Sequence, residues 1–287
     1  MEELNNLHWF LLALGSLIMG LSKGGLPGAG NLTVAIYALV LEDALGLVGV
    51  PLSVGLLLPV LIAADVTATF LYRRHTDWKF IIRLLPFFII GTVLGWWVFD
   101  YFQDGNERVR QLKYVIGGIL LSMTVLHFLV KFRSARQKSA VHSDGQTPKG
   151  SIGLGVFFGL LGGVATMLAN AAGPVAQLYL LAMALPKYAF IGTSAWLFLI
   201  VNIIKVPFMI DLGIITTDSM SVSWWMFIPA VIGASLGPMI VKYINQRAFE
   251  SLVWFFIVVA GIRMLFYSVN EESLTIPDNF GLSIWRG

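Results

Sequence analysis

Hydrophobic positions along the chain come in long unbroken runs. They show neither the alternation of a half-buried strand nor the one-sided stripe of a soluble helix. A helix needs roughly 20 mostly apolar residues to cross hydrocarbon. Read on that scale, the runs predict ten helical segments, at residues 7–22, 28–41, 46–72, 80–99, 112–131, 152–169, 171–185, 189–210, 225–241 and 251–267. The second and seventh are too short to cross alone and read as half-helices or re-entrant segments. Barrel strands alternate apolar and polar residues, so continuous runs argue against an outer-membrane barrel. The first segment follows Glu2 and Glu3, not a basic stretch, and lacks a small-residue cleavage site, so it reads as a retained helix and not a cleaved signal peptide.

Composition narrows the class. Of the 287 residues, 57% are hydrophobic and 12% charged, with mean hydropathy +0.80. A soluble domain is roughly 45–50% apolar and about 25% charged, so soluble and disordered readings are both excluded. The 19 Lys and Arg against 16 Asp and Glu leave a formal charge of only +3 and no nucleic-acid footprint. Absence of cysteine removes disulfides, thiolate metal sites and Cys nucleophiles. The expected fold is all-α, a polytopic helical membrane protein whose partners are the lipid bilayer and a small substrate. No cofactor or metal is expected, and a homo-oligomer stays open.

The bases are unevenly placed. Lys23, then Arg73, Arg74 and Lys79, then residues 131–149, then Lys187, then Lys242 and Arg247 follow alternate segments. The intervening loops are acidic or mixed, as at Glu42 and Asp43, Asp211 and Asp218, or Glu271 and Glu272. Cytoplasmic loops carry the basic excess, which puts both termini outside; the short Lys23 and Lys187 loops would look the same if the first two segments of each half were re-entrant hairpins. Residues 133–150 (RSARQKSAVHSDGQTPKG) form the longest polar stretch and read as a cytoplasmic linker between a first membrane half, 1–132, and a second, 151–287. His142 in the linker lacks a second ligand at metal-binding spacing. His8 and His127 fall near segment ends, as do Trp9, Trp78, Trp96, Trp97, Trp224 and Trp225, which suit an interfacial aromatic belt.

The two halves resemble each other. Gly20, Leu21, Gly24 and Asn31 align without gaps on Gly159, Leu160, Gly163 and Asn170, an offset of 139 residues. Gly91-Thr-Val-Leu-Gly95 matches Gly233-Ala-Ser-Leu-Gly237 at an offset of 142, a few residues after Pro86 and Pro229 respectively. With about five segments per half, an odd number, the second half is expected to run upside down relative to the first. In such inverted repeats the substrate lies near the midplane, where short or Gly/Pro-interrupted segments present broken helix ends. The stretches 20–31 and 159–174 are that pair. Helix N-termini attract anions, so Gly24, Gly25, Gly163, Asn31 and Asn170 are candidate site residues; the bland reading of the glycines is tight helix packing.

Charges deep in spans are costly and hence functional candidates. Asp65 in the third segment and Lys205 in the eighth stand out, and an offset of 140 superposes them. They read either as a buried ion pair joining the halves, or as a substrate counter-ion, Lys205, with Asp65 as its partner or a proton carrier. Pro207 suits a kinked, site-lining helix and equally mere packing. Arg83 and Arg263 lie close enough to segment ends to snorkel.

Together these residues resemble the TauE/SafE-type sulfite exporter family of bacterial membrane proteins. The likeness rests on the paired Gly-rich stretches, Asp65 followed by Tyr72-Arg73-Arg74-His75 and Trp78, Pro86 with Gly91 and Gly95, and Thr193-Ser194 with Asn202, Lys205 and Pro207. It covers essentially the whole chain. The second Gly-rich stretch is poorer in glycine than the commoner family pattern. The resemblance implies a carrier of sulfite, sulfoacetate or related organosulfur and carboxylate anions, usually an exporter, with seven or eight spans. Such a carrier would hold its anion with helix ends near Asn31 and Asn170, the Thr193 and Ser194 hydroxyls, and Lys205. Rival readings are an uptake permease coupled to protons or sodium, a channel, a membrane-embedded enzyme, which lacks paired mid-span acids, and a membrane protein that transports nothing.

Overall fold

The computed structural model of the chain describes residues 4–26, 29–103, 105–138, 152–183 and 185–240, with the isolated positions 255, 258, 259 and 262. Every element in the described residues is helical: α1 (Asn6–Lys23), α2 (Gly30–Leu45), α3 (Gly49–Tyr72), α4 (Trp78–Gln103), α5 (Asn106–Lys138), α6 (Ile152–Ala169), α7 (Gly173–Ala182), α8 (Lys187–Asp211) and α9 (Thr217–Ile240). In hydrocarbon each backbone N–H and C=O must find its partner within the segment, and the helix does this. The first nine predicted segments correspond to these helices. The tenth, with Lys242, Arg247 and Arg263, lies largely outside the described residues. Among the described residues, four stretches could by length and composition cross a membrane: Gly30–His75, Trp78–Gln103, Tyr188–Asp211 and Thr217–Met239. This is a polytopic all-α membrane protein. α5 runs on past residue 132 to Lys138 through Arg, Ala, Gln and Lys, all good helix formers. Residues 139–151, including His142, are outside the description.

Local chemistry explains the two breaks. An Asn5/His8 capping box starts α1, the Asn5 side chain accepting from His8 N and the His8 ring from Asn5 N. It ends in a Schellman turn: Gly25 takes φ 135, its N–H meets Ser22 O, and Leu26 N–H reaches back to Leu21 O. α6 ends where Asn170 adopts a left-handed backbone, φ 51, a conformation asparagine tolerates better than most residues. After each break comes a short helix. At 1.5 Å per residue, the 16 residues of α2 and the 10 of α7 extend about 24 and 15 Å, less than the ~30 Å hydrocarbon. Gly46, at φ 67, then folds α3 back along α2.

α3 also packs on α8 and α9, but the most extensive crossings between helices from either side of the linker are α1 with α9 and α4 with α6. Both are built on glycine. A Cβ on Gly237 would come within 2.7 Å of Gly24 Cα, and one on Gly163 within 2.6 Å of Thr92 N and 2.7 Å of Gly91 C. Small residues let membrane helices approach this closely. The matched glycines Gly20, Gly24, Gly91, Gly163, Gly233 and Gly237 all face the backbone of a crossing helix.

The ends of the bundle differ in charge. At one, the Tyr72 hydroxyl donates to Gly24 O, His75 packs on Tyr188, and Asp77 N–H donates to the Thr193 hydroxyl. This gathers the Lys23, Arg73–His75 and Lys187 turns. At the other, His8 meets Asp43, Lys113 pairs with Glu42 in a buried contact, and Trp96 donates to Asp211. His8 is buried there. Trp78, Trp97, Trp224 and Trp225 are exposed; the His127 side chain is outside the description.

Gly163→Ala should lower unfolding stability in detergent by roughly 1–3 kcal/mol, because its methyl strikes the α4 backbone. Gly118→Ala, in α5 where a Cβ meets nothing within 4 Å, should be neutral or stabilising by up to about 1 kcal/mol. Thermal unfolding of the two proteins measures both.

Candidate functional site

Where the two breaks face each other the helices leave a cavity of about 190 Å³, well beyond the ~10–15 Å³ one water requires. Its wall is drawn from both sides of the linker. Met19, Ser22 and Lys23 come from α1, Gly25 from the turn, Gly30 and Asn31 from the start of α2, and Leu61 from α3. Thr166 and Asn170 come from the α6 end, Gly173, Pro174 and Gln177 from α7, and Phe190, Ile191, Ser194, Ala195, Phe198 and Asn202 from α8. The helical period explains the choice: 191, 194, 195, 198 and 202 share one face of α8. The N-termini of α2 and α7 both reach this cavity. The hydroxyl of Ser22 accepts from Gly30 N–H at 3.0 Å, while the buried Asn31 side-chain nitrogen has no hydrogen-bond partner among the described residues.

Three charges sit around the cavity. The Asp65 carboxylate, fully buried, meets Lys23 Nζ at 2.7 Å and accepts from Asn202 Nδ2 at 2.7 Å. Lys23 is 15% exposed and also lies 4.2 Å from the centre of the Phe198 ring, a cation–π contact. Lys205, fully buried, donates to Thr166 O at 2.7 Å, Thr166 Oγ1 at 3.3 Å and Asn170 Oδ1 at 2.5 Å. An ammonium has three hydrogens, and these acceptors take them all. The Asn170 amide is fixed in turn, its Nδ2 donating to Val54 O at 2.9 Å.

A family comparison decides what kind of protein carries this cavity. The family described as sulfite exporter TauE/SafE matches residues 12–264, most of the chain. The chain belongs to that family. No curated protein and no solved structure was similar enough to count as a match. Membership makes it a membrane transport protein of the sulfite-exporter kind, in a family of transporters and not of enzymes.

In this TauE/SafE protein the predicted site residues divide. Asn31, Asn170, Ser194 and Gly25 line the cavity. Gly24 and Gly163 instead serve helix crossings, and Gly24 O accepts the Tyr72 hydroxyl. Thr193 lies behind the wall: its hydroxyl accepts from Asp77 N–H at the start of α4, while Ser194 lines the cavity. The direct Asp65–Lys205 pair is replaced. Asp65 pairs with Lys23, a residue that sequence position assigned to a basic loop, and Lys205 binds the end of α6. Lys23 could have been found from its place four residues after Met19, on the same helix face. Asn202, three residues before Lys205, and Gln177 belong to the site as well. Arg83 is exposed on α4, near Tyr179.

Removing one partner of a buried ion pair strands the other and typically costs 3–5 kcal/mol. Lys23→Ala should therefore destabilise the protein strongly, whereas Lys23→Ala with Asp65→Asn should recover much of the loss. A double-mutant cycle in thermal or denaturant unfolding would show near-additive losses if the pair did not exist.

Proposed function

We propose that the chain carries small oxyanions across the inner membrane, with sulfite, sulfoacetate and related organosulfur or carboxylate anions as its substrate class. The observation that carries this reading is the chemistry of one cavity, where an ammonium, an unpartnered buried amide and two helix N-termini converge. Each of those groups stabilises negative charge. Lys23 supplies the charge at the wall, Asn31 Nδ2 a free donor, and Ser194 and Gln177 further polar contacts. Met19, Leu61, Phe190, Ile191 and Phe198 exclude water. Lys205 acts one step back, orienting Asn170.

We read residues 1–132 and 151–287 as inverted halves with 133–150 on the cytoplasmic side. A two-fold axis in the membrane plane that exchanges α1 with α6 and α4 with α9 converts the α1/α9 crossing into the α6/α4 crossing, and both crossings use the matched glycines. Alternating access then rocks one half against the other around the cavity. The basic turns at Lys23, Arg73–His75 and Lys187 face the cytoplasm, with the termini periplasmic. An inside-negative potential drives anions outward by about 2.3 kcal/mol per charge per 100 mV, which favours export without an added coupling ion. Asp65 supports one second reading, anion uptake with a proton carried on its carboxylate.

In proteoliposomes the wild type should release loaded sulfite on imposing an inside-negative potential. Lys23→Ala should cut the initial rate at least tenfold and Asn31→Ala severalfold, while Lys79→Ala, exposed at the start of α4, leaves it unchanged. Full-rate flux through Lys23→Ala overturns the site. Folded wild type that moves neither sulfite, sulfonates nor small carboxylates overturns the function.

A further inference from the structure

The oxygen cage at the end of α6 has a consequence independent of the anion. Three neutral oxygens, Thr166 O, Thr166 Oγ1 and Asn170 Oδ1, converge on one point, and that point holds the Lys205 ammonium. Thr166 O also accepts Asn170 N–H at 2.9 Å, so Lys205 takes its second lone pair, and the last turn of α6 adds the negative end of the helix dipole. Within a membrane such half-helix ends are where transporters coordinate a coupling sodium. The cage is preorganised: the Asn170 Nδ2–Val54 O hydrogen bond at 2.9 Å aims Oδ1 inward, and the left-handed backbone at Asn170, φ 51, sets the turn. No carboxylate oxygen belongs to it, since Asp65 is taken by Lys23 and Asn202.

We propose that this cage is a monovalent-cation site of the sodium type, filled in this chain by its own Lys205 ammonium. The tethered cation is always present, cannot dissociate during the cycle, and leaves no place for a sodium ion. Stability of the protein is therefore indifferent to sodium, and removing the ammonium opens a site that sodium takes. Lys205→Ala vacates the cage and admits water to complete a coordination shell. Lys205→Gln offers one more oxygen ligand in place of the ammonium.

The test is thermal unfolding of the purified full-length chain in detergent, titrating NaCl against choline chloride at constant ionic strength. The wild type should unfold at the same temperature in both salts. Lys205→Ala and Lys205→Gln should unfold several degrees lower in choline and recover saturably as sodium rises, the signature of a ligand bound only by the folded state. The assignment is overturned if both variants are insensitive to sodium, or if the wild type gains as much from sodium as they do. It is equally overturned if neither variant yields folded protein even when extracted in sodium, because sodium then fails to replace the ammonium. No anion enters the measurement, so its outcome is separate from that of the transport reading.

Discussion

A helix that stops inside hydrocarbon leaves carbonyls at one side of the break and N–H groups at the other, and each must find a partner or carry a cost of several kcal/mol. That constraint organises the centre of this molecule. At the end of α1 the chain satisfies itself, through the Gly25 turn and the Leu26–Leu21 bond. At the end of α6 Asn170 N–H returns to Thr166 O and Ala171 N–H to Ala165 O, and Lys205 reaches in from α8 to give the Thr166 carbonyl a second donor. The N-terminal sides of the same breaks are left to face a cavity. Among the described residues the Asn31 side-chain amide nitrogen there is left without a partner.

The breaks meet because of where glycine lies. α1 packs on α9 and α4 on α6 at backbone contact, and any side chain at Gly24, Gly163 or Gly237 would push the pairs apart. Such close contact fixes the height at which α1 and α6 end relative to α8, and so fixes whether Lys23 reaches Asp65 and whether Lys205 reaches Asn170. Packing and site chemistry are one design here. The glycines act on the site at a distance, through helix position, without lining the cavity themselves.

Much of this was legible in the chain. Unbroken apolar runs return helices almost segment for segment, since the hydrophobic length of a span and its helical state follow from the same requirement. The two short segments and the matched asparagines were visible because a break needs residues that tolerate unusual backbone or offer an amide. What escaped was pairing. Loop position made Lys23 look like a topological marker, yet a four-carbon stem lets a lysine at a helix end reach back among the spans. The superposition of Asp65 on Lys205 correctly found two buried charges near one cavity, but an offset shared by two halves says nothing of which cation a carboxylate meets. Thr193 and Ser194, neighbours in sequence, point to different surroundings, and only the rotation of α8 decides which one sees the cavity.

The Lys23–Asp65 pair also limits how tightly the proposed carrier can hold its anion. An entering oxyanion must share Lys23 with a carboxylate already at 2.7 Å, and Asp65 is buried with only Asn202 as its other named donor. Drawing Lys23 fully away would strand a carboxylate in a low-dielectric place, at a cost comparable to the Coulombic gain from the anion. The anion is therefore held by a shared ammonium plus the Asn31 amide and two helix ends, a set of modest attractions and no dominant one. That suits transport. A carrier that bound its anion through an uncontested lysine would release it slowly, whereas a contested one returns to the Asp65 pair as the anion leaves, and the return itself favours release.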